Sequence, residues 1–216
     1  MQERFYSTHV RRPKTHFFRN ENYHLTMAVC SWGKPEDCKK FYDLTIENYN
    51  LMFNDDATSP FEQYLQLTNI QNKLRTAILM ANEQIYREDN RNSYETGLEF
   101  FVMVQNPRLV HWAAVGQPSV FYLHQGQINT IYSATTTTIS SDPVFLYGVG
   151  LEPKVQIQTG IFIRPKSLSY CFVARDNIAP ALFKHRSLNI AELSTELIEQ
   201  DPTRPFWIHV SDENEL

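Results

Sequence analysis

Apolar residues first concentrate in HLTMAVCS, residues 24–31, a run too short for a helix and followed by Trp32-Gly33. It predicts a buried strand that ends in a turn. From Pro35 the spacing changes, and Phe41, Leu44, Ile46, Tyr49 and Met52 recur at roughly helical intervals. They predict a helix over 35–54, stopped by Asn54-Asp55-Asp56. Thr58-Ser59-Pro60 reads as the opening of a second helix over 61–86. Tyr64, Leu67, Ile70, Leu74, Ile78 and Ile85 put a broad apolar stripe on it.

Beyond Gly97 the pattern becomes β-rich. Residues 98–105, 109–115, 120–124 and 128–132 are separated by Asn106-Pro107, Gln117-Pro118 and Gln125-Gly126, which predicts a meander of four strands. Residues 155–163 alternate, with Val155, Ile157, Thr159 and Ile161 expected on one face. Residues 168–174 form a continuous buried-type run, 190–200 a short helix and 205–210 a last strand. Helices segregated from strands predict an α+β domain with helices packed on sheets. No repeat, low-complexity tract or Gly/Ser-rich linker divides the chain, so a single domain is expected.

Composition sharpens this picture by exclusion. The chain has 216 residues, 42% hydrophobic and 13% aromatic, enough for a sizeable core and unlike a disordered sequence. The net charge is −4, and the one basic cluster is Arg11, Arg12 and Lys14 beside Pro13. It reads as a solvated terminus, too narrow for a nucleic-acid face, so no nucleic-acid partner is expected. Cys30, Cys38 and Cys171 show no CxxC spacing, and the seven histidines form no HExxH, which argues against structural zinc and a disulfide framework. No apolar run reaches membrane-spanning length and the first 25 residues hold no signal-type apolar core. The expectation is a cytoplasmic domain without a membrane partner.

Several short strings, taken in order, resemble one family. Arg19-Asn20-Glu21-Asn22 followed by LTMAVCSWG is similar to the N-E-D segment leading to V-A-D-G-M-G-G in the metal-dependent phosphatases of the protein phosphatase 2C family. Ala81-Asn82-Glu83-Gln84-Ile85-Tyr86 resembles A-N-x-x-I-Y, and Gly97-Leu98-Glu99 stands where G-T-T is expected. Trp112-Ala113-Ala114-Val115-Gly116-Gln117-Pro118-Ser119 resembles the strand ending in V-G-D-S-R. Leu146-Tyr147-Gly148-Val149-Gly150, Phe172-Val173-Ala174-Arg175-Asp176-Asn177-Ile178 and the stretch from Asp201 to Val210 resemble later family strings. The resemblance implies a four-layer αββα sandwich of two mostly antiparallel sheets flanked by helices. It covers 16–210, with 1–15 as an N-terminal extension and 211–216 as a C-terminal tail.

The departures bear on chemistry. In the family, carboxylates hold two divalent metals that activate water for in-line attack on phosphorus, and hard Mg²⁺ or Mn²⁺ requires several charged oxygen ligands. Against the family pattern the bridging aspartate falls at Ser31 and the next glycine at Trp32. Asn22 stands for the N-E-D aspartate, Gln117 and Ser119 for the aspartate and arginine of G-D-S-R, and Leu98 and Glu99 for the two threonines. Phe17 stands for the phosphate-binding arginine. The flap segment is shortened to 133–147. Glu21, Asp176 and Asp201 remain of the acidic set, either as a weak single-metal site or as carboxylates that are solvated or paired with Arg175 and Arg204. Trp32 is expected either to fill the vacated space or to cap a ligand pocket, and Gln117-Pro118 to form either a binding loop or a turn. Thr135, Thr136, Thr137 and Thr138 read as a β-prone loop or a phosphoacceptor run. The resemblance therefore implies a non-catalytic pseudophosphatase that has lost Mg/Mn binding and engages a protein partner, such as a kinase or signalling complex. The alternative is an active metal-dependent phosphoserine/phosphothreonine phosphatase with an atypical metal site.

Overall fold

The computed structural model describes residues 2–8, 12–54, 61–134, 148–165, 167–175, 178 and 180–214. The strands are β1 (Gln2–Tyr6), β2 (Thr15–Asn20), β3 (Leu25–Ser31), β4 (Leu98–Gln105), β5 (Leu109–Val115), β6 (Ser119–His124), β7 (Gln127–Tyr132), β8 (Gln158–Ile163), β9 (Ser167–Ala174) and β10 (Phe206–Asn214). The helices are α1 (Glu36–Asn54), α2 (Asn69–Asp89) and α3 (Ile190–Gln200), with a 3₁₀ turn at Pro180–Lys184. The strands form two five-stranded sheets, β1-β10-β9-β6-β7 and β2-β3-β4-β5-β8. Every pairing is antiparallel.

Alternation along the strands builds three apolar layers. Leu25, Met27 and Val29 of β3 point with Phe100 and Val102 of β4 toward Phe41, Leu74 and Ile78 of α1 and α2. Ala28, Phe101 and Met103 point the other way, meeting Tyr170, Phe172 and Trp207 of the opposite sheet. Val173, Phe206 and Ile208 leave that sheet on its outer face to cover Leu193 and Leu197 of α3. The outcome is the expected αββα sandwich. Because β3 is covered on both faces, all seven of its residues are buried, which is why it reads as one apolar run.

Several boundaries and one strand face differ from expectation. The second helix starts at Asn69: Thr68 caps it by accepting from Gln71 N, and the Gln71 side chain returns to the Thr68 N–H. That capping box outcompetes the apolar pattern of 61–68, where Tyr64 instead packs under Arg75, 4.2 Å from guanidinium carbon to ring centre. Thr58, Ser59 and Pro60 lie outside the described residues. Gln2–Tyr6, within the expected extension, pair with β10, and β10 itself runs on to Asn214, into the expected tail. Finally, the face expected across 155–163 breaks at the sheet edge. Val155 is buried, but Ile161 of β8 is 43% exposed, and Phe162 is the β8 side chain that packs between the sheets. No helix among the described residues is long and apolar enough to cross a membrane.

Candidate functional site

The direction of the β2–β3 hairpin decides which residues can meet. Thr15 pairs with Cys30 and Asn20 with Leu25, so the end of β2 that leads into Glu21 lies at the far end of β3 from Ser31. Six residue steps of about 3.3 Å put roughly 20 Å between the two ends. Glu21 is exposed in the turn, in an ion pair with Arg19 at 2.8 Å, and Asn22 is exposed beside it. Phe17 lies mid-strand opposite Ala28 and stacks on His209 with ring centres 3.8 Å apart. The expected places of Glu21, Asn22 and Phe17 near Ser31 are therefore corrected. The segment that does reach Ser31 precedes β2. Arg12, Pro13 and Lys14 share a groove of about 660 Å³ with Ser31 and Trp32, and Pro13 O lies 3.7 Å from Cys30 Sγ. Arg12, expected in a solvated terminus, is buried.

At that end of the sheets, Ser31, Trp32, Leu98, Glu99, Gln117 and Ser119 do converge. The Trp32 N–H extends the ladder by one bond to Gly97 O (2.8 Å), and the indole Nε1–H donates to Glu99 Oε2 at 2.9 Å. Glu99 sits opposite Cys30 on the inter-sheet face, and its Oε1 accepts the Gln117 N–H at 3.2 Å. A Cβ on Gly116 would lie 2.3 Å from Glu99 Oε1, and φ there is +66°, so the close approach of this carboxylate requires glycine on both counts. Gln117-Pro118 is a cis turn whose Gln117 Nε2 donates to Arg175 O (3.3 Å), tying one sheet to the other. Leu98 is buried and paired to Val149, while Ser119 Oγ accepts the Ala134 N–H at 2.9 Å.

A second carboxylate went unnoticed in the sequence. Asp37 Oδ2 accepts the Lys34 N–H (2.9 Å) and the Thr96 hydroxyl (3.0 Å), and lies 3.4 Å from Ser31 Oγ. Ser31 Oγ in turn accepts the Gly33 N–H at 3.1 Å. Asp37 thus satisfies a main-chain N–H at the entry to α1, and the acidic first turn after Pro35 was its only signal.

Burial pushes the Cys30 thiol well above its ordinary range, with the neighbouring Glu99 charge acting in the same direction. Burial, and secondarily Glu99, likewise pushes Tyr132 up to about 12. Its hydroxyl donates to Gly116 O at 2.8 Å. Neither group supplies an anion at this site at neutral pH.

Solved structures share this architecture along nearly their whole length. The Mycobacterium tuberculosis serine/threonine phosphatase PstP/Ppp matches with a TM-score of 0.66 at 13% identity, covering 100% of this chain and 98% of that one. PppA, a regulatory component of T6SS in Pseudomonas aeruginosa, matches with 0.64 at 11%, over 97% and 96%. The catalytic domain of PstP in complex with two manganese ions matches with 0.61 at 14%, over 98% and 96%. This chain has the protein phosphatase 2C fold. No family model and no curated protein matches the sequence.

Within the phosphatase 2C fold, metal chemistry calls for several carboxylates converging on one point. Among the described residues no group of three or more His, Cys, Asp or Glu side chains could hold a metal. Asp201 caps α3, and its carboxyl is held below the usual range first by the Thr203 hydroxyl and N–H and then by Arg204. Arg175 is buried and donates to the main-chain oxygens of Leu197 and Asp201. Asp176 lies outside the described residues, as do Thr135, Thr136, Thr137 and Thr138.

Proposed function

We propose that this chain is a non-catalytic phosphatase 2C-fold domain, a pseudophosphatase that acts as a protein-binding module in signalling, with a kinase or signalling complex as the partner class. The observation that carries it is the pair Ser31-Trp32 at the end of β3 together with Glu99. A serine hydroxyl offers no charge to a divalent cation, and the Glu99 carboxylate already accepts the Trp32 indole N–H and the Gln117 N–H. Displacing those donors to admit a metal would strand two part-buried N–H groups, at about 1–3 kcal/mol each. The described donors therefore do not fit a two-metal centre, and no hydrolytic step is assigned to them.

The alternative, an active metal-dependent phosphoserine/phosphothreonine phosphatase, is favoured by the manganese-bound relative of the same fold. Hydrolysis of p-nitrophenyl phosphate and of a phosphothreonine peptide in millimolar Mn²⁺ or Mg²⁺ separates the two. The expected result is no turnover above background. Metal-dependent turnover abolished by Asp176→Ala would establish the alternative instead.

A further inference from the structure

Trp32 also lines a second cleft, of about 510 Å³, within the ~300–1,000 Å³ range of ligand sites. Trp32, Tyr94 and Leu151 give it an apolar wall, and Glu95 and Glu152 add two acidic residues to its lining. Its two loops are fixed by two buried amides, Asn82 within α2 and Asn90 at its C-terminal cap. Asn90 Oδ1 accepts the Glu95 and Thr96 N–H groups (2.8 and 2.9 Å), and Asn90 Nδ2 donates to Thr96 O (2.5 Å) and Gly150 O (2.6 Å). Asn82 Oδ1 accepts the Gly150 N–H (2.8 Å), and Asn82 Nδ2 donates to Glu152 O (3.0 Å) and Pro153 O (3.2 Å). Gly33 closes the frame, since a Cβ there would stand 2.2 Å from Glu95 O. A site whose walls are held by fully satisfied buried amides is preorganised.

We infer that this cleft receives an arginine or lysine side chain from a basic segment of a partner protein, seated on the Trp32 and Tyr94 rings and paired with Glu95 and Glu152. Cations are attracted to aromatic faces, most strongly to indole. The Trp32 N–H donates to the Glu99 carboxylate, which pushes electron density into the ring and strengthens that attraction. Tyr94 is 78% exposed, so its ring is open to an incoming side chain. Glu95 already draws a cation of this chain. Lys34 Nζ stands 3.6 Å from it, with both side chains more than half exposed, a loose surface pair that a better-seated guanidinium can replace. The inference rests on the reading of the chain as a protein-binding module and adds the chemistry of the partner.

The test is titration of the ¹⁵N-labelled full chain with the peptide acetyl-Gly-Arg-Gly-amide, and with its Lys, Ala and Glu counterparts, followed at the Trp32 indole N–H. Saturable shifts are expected with Arg, weaker ones with Lys, and none with Ala or Glu. The affinity should fall at least tenfold in Glu95→Gln/Glu152→Gln, whose exposed side chains can change without cost to folding, and should weaken with added salt. Equal response to the Ala or Glu peptide, unchanged affinity in the double variant, or no saturable shift would each overturn the inference. Phosphatase assays on the same samples read the other proposal separately. Turnover would sink the non-catalytic reading whatever the peptides do, and a silent cleft without turnover would sink only this one.

Discussion

His209 has two buried ring nitrogens without a hydrogen-bond partner, and its ring is stacked between Phe17 and Trp207. Burial pushes its pKa down to about 4, whereas an unfolded imidazole titrates near ~6.5. Between those values the unfolded chain binds the proton and the folded one does not. Stability therefore falls as pH drops through this window, by about 3 kcal/mol at its lower end. Urea unfolding from pH 7 down to 4 should show that loss in the natural protein and not in His209→Phe. Glu3 and other carboxylates titrate in both proteins and cancel in the difference; parallel curves would place His209 elsewhere. Residues like this, and like Glu99 and Asp37, are hard to read from sequence because their character comes from neighbours that are far along the chain. Ser31 and Trp32 were legible, since one lies at the end of an apolar strand and the other in the turn that follows.

Elements were legible wherever both faces of a strand or one stripe of a helix were buried. The strand runs at 98–105 and 109–115 and the helix at 190–200 match the structure residue for residue. β1 was not foreseen. QERFY lies at a sheet edge with four of its five residues exposed, so neither alternation nor an apolar run marks it, and its pairing with β10 is a tertiary event. The start of α2 had a usable signal, Thr68 three residues before Gln71, which the apolar pattern of 61–68 masked. Thr68→Ala should cost about 1–2 kcal/mol in urea unfolding with an unchanged slope. The upper end is expected because Thr68 Oγ1 also lies 3.2 Å from Nδ1 of the buried His111. A loss below a few tenths would mean the helix does not depend on this cap.

For the whole molecule, Glu99 and Asp37, described carboxylates at the Ser31 end, are committed to N–H and O–H donors within the fold, so the folded state should not depend on a divalent cation. A ligand binding only the native state at a hundredfold excess over Kd adds about 2.7 kcal/mol, several degrees in Tm at this size. The expected change between EDTA and roughly 5 mM Mn²⁺ is below about one degree. Ser31→Asp alone should leave it so, since Glu99 still holds the Trp32 indole. A clear Mn²⁺-dependent rise in the unmutated chain would refute the non-catalytic reading at its base.

By itself the sequence determined the class, the order of elements from β3 onward and the serine that ends β3, because periodicity and residue type are local properties. Which segments meet Ser31 is not local. The string Asn20-Glu21-Asn22 precedes β3 in the chain and suggested proximity, but antiparallel pairing of β2 carries it to the opposite end of the sheet and brings Arg12 to Pro13 instead. The cleft that Trp32 shares with Tyr94 and Leu151 depends in the same way on tertiary geometry. Its walls come from residues more than fifty positions apart, joined by the amides of Asn82 and Asn90. Hydrogen bonds of that span leave no periodic trace in a sequence, so only the folded chain displays them.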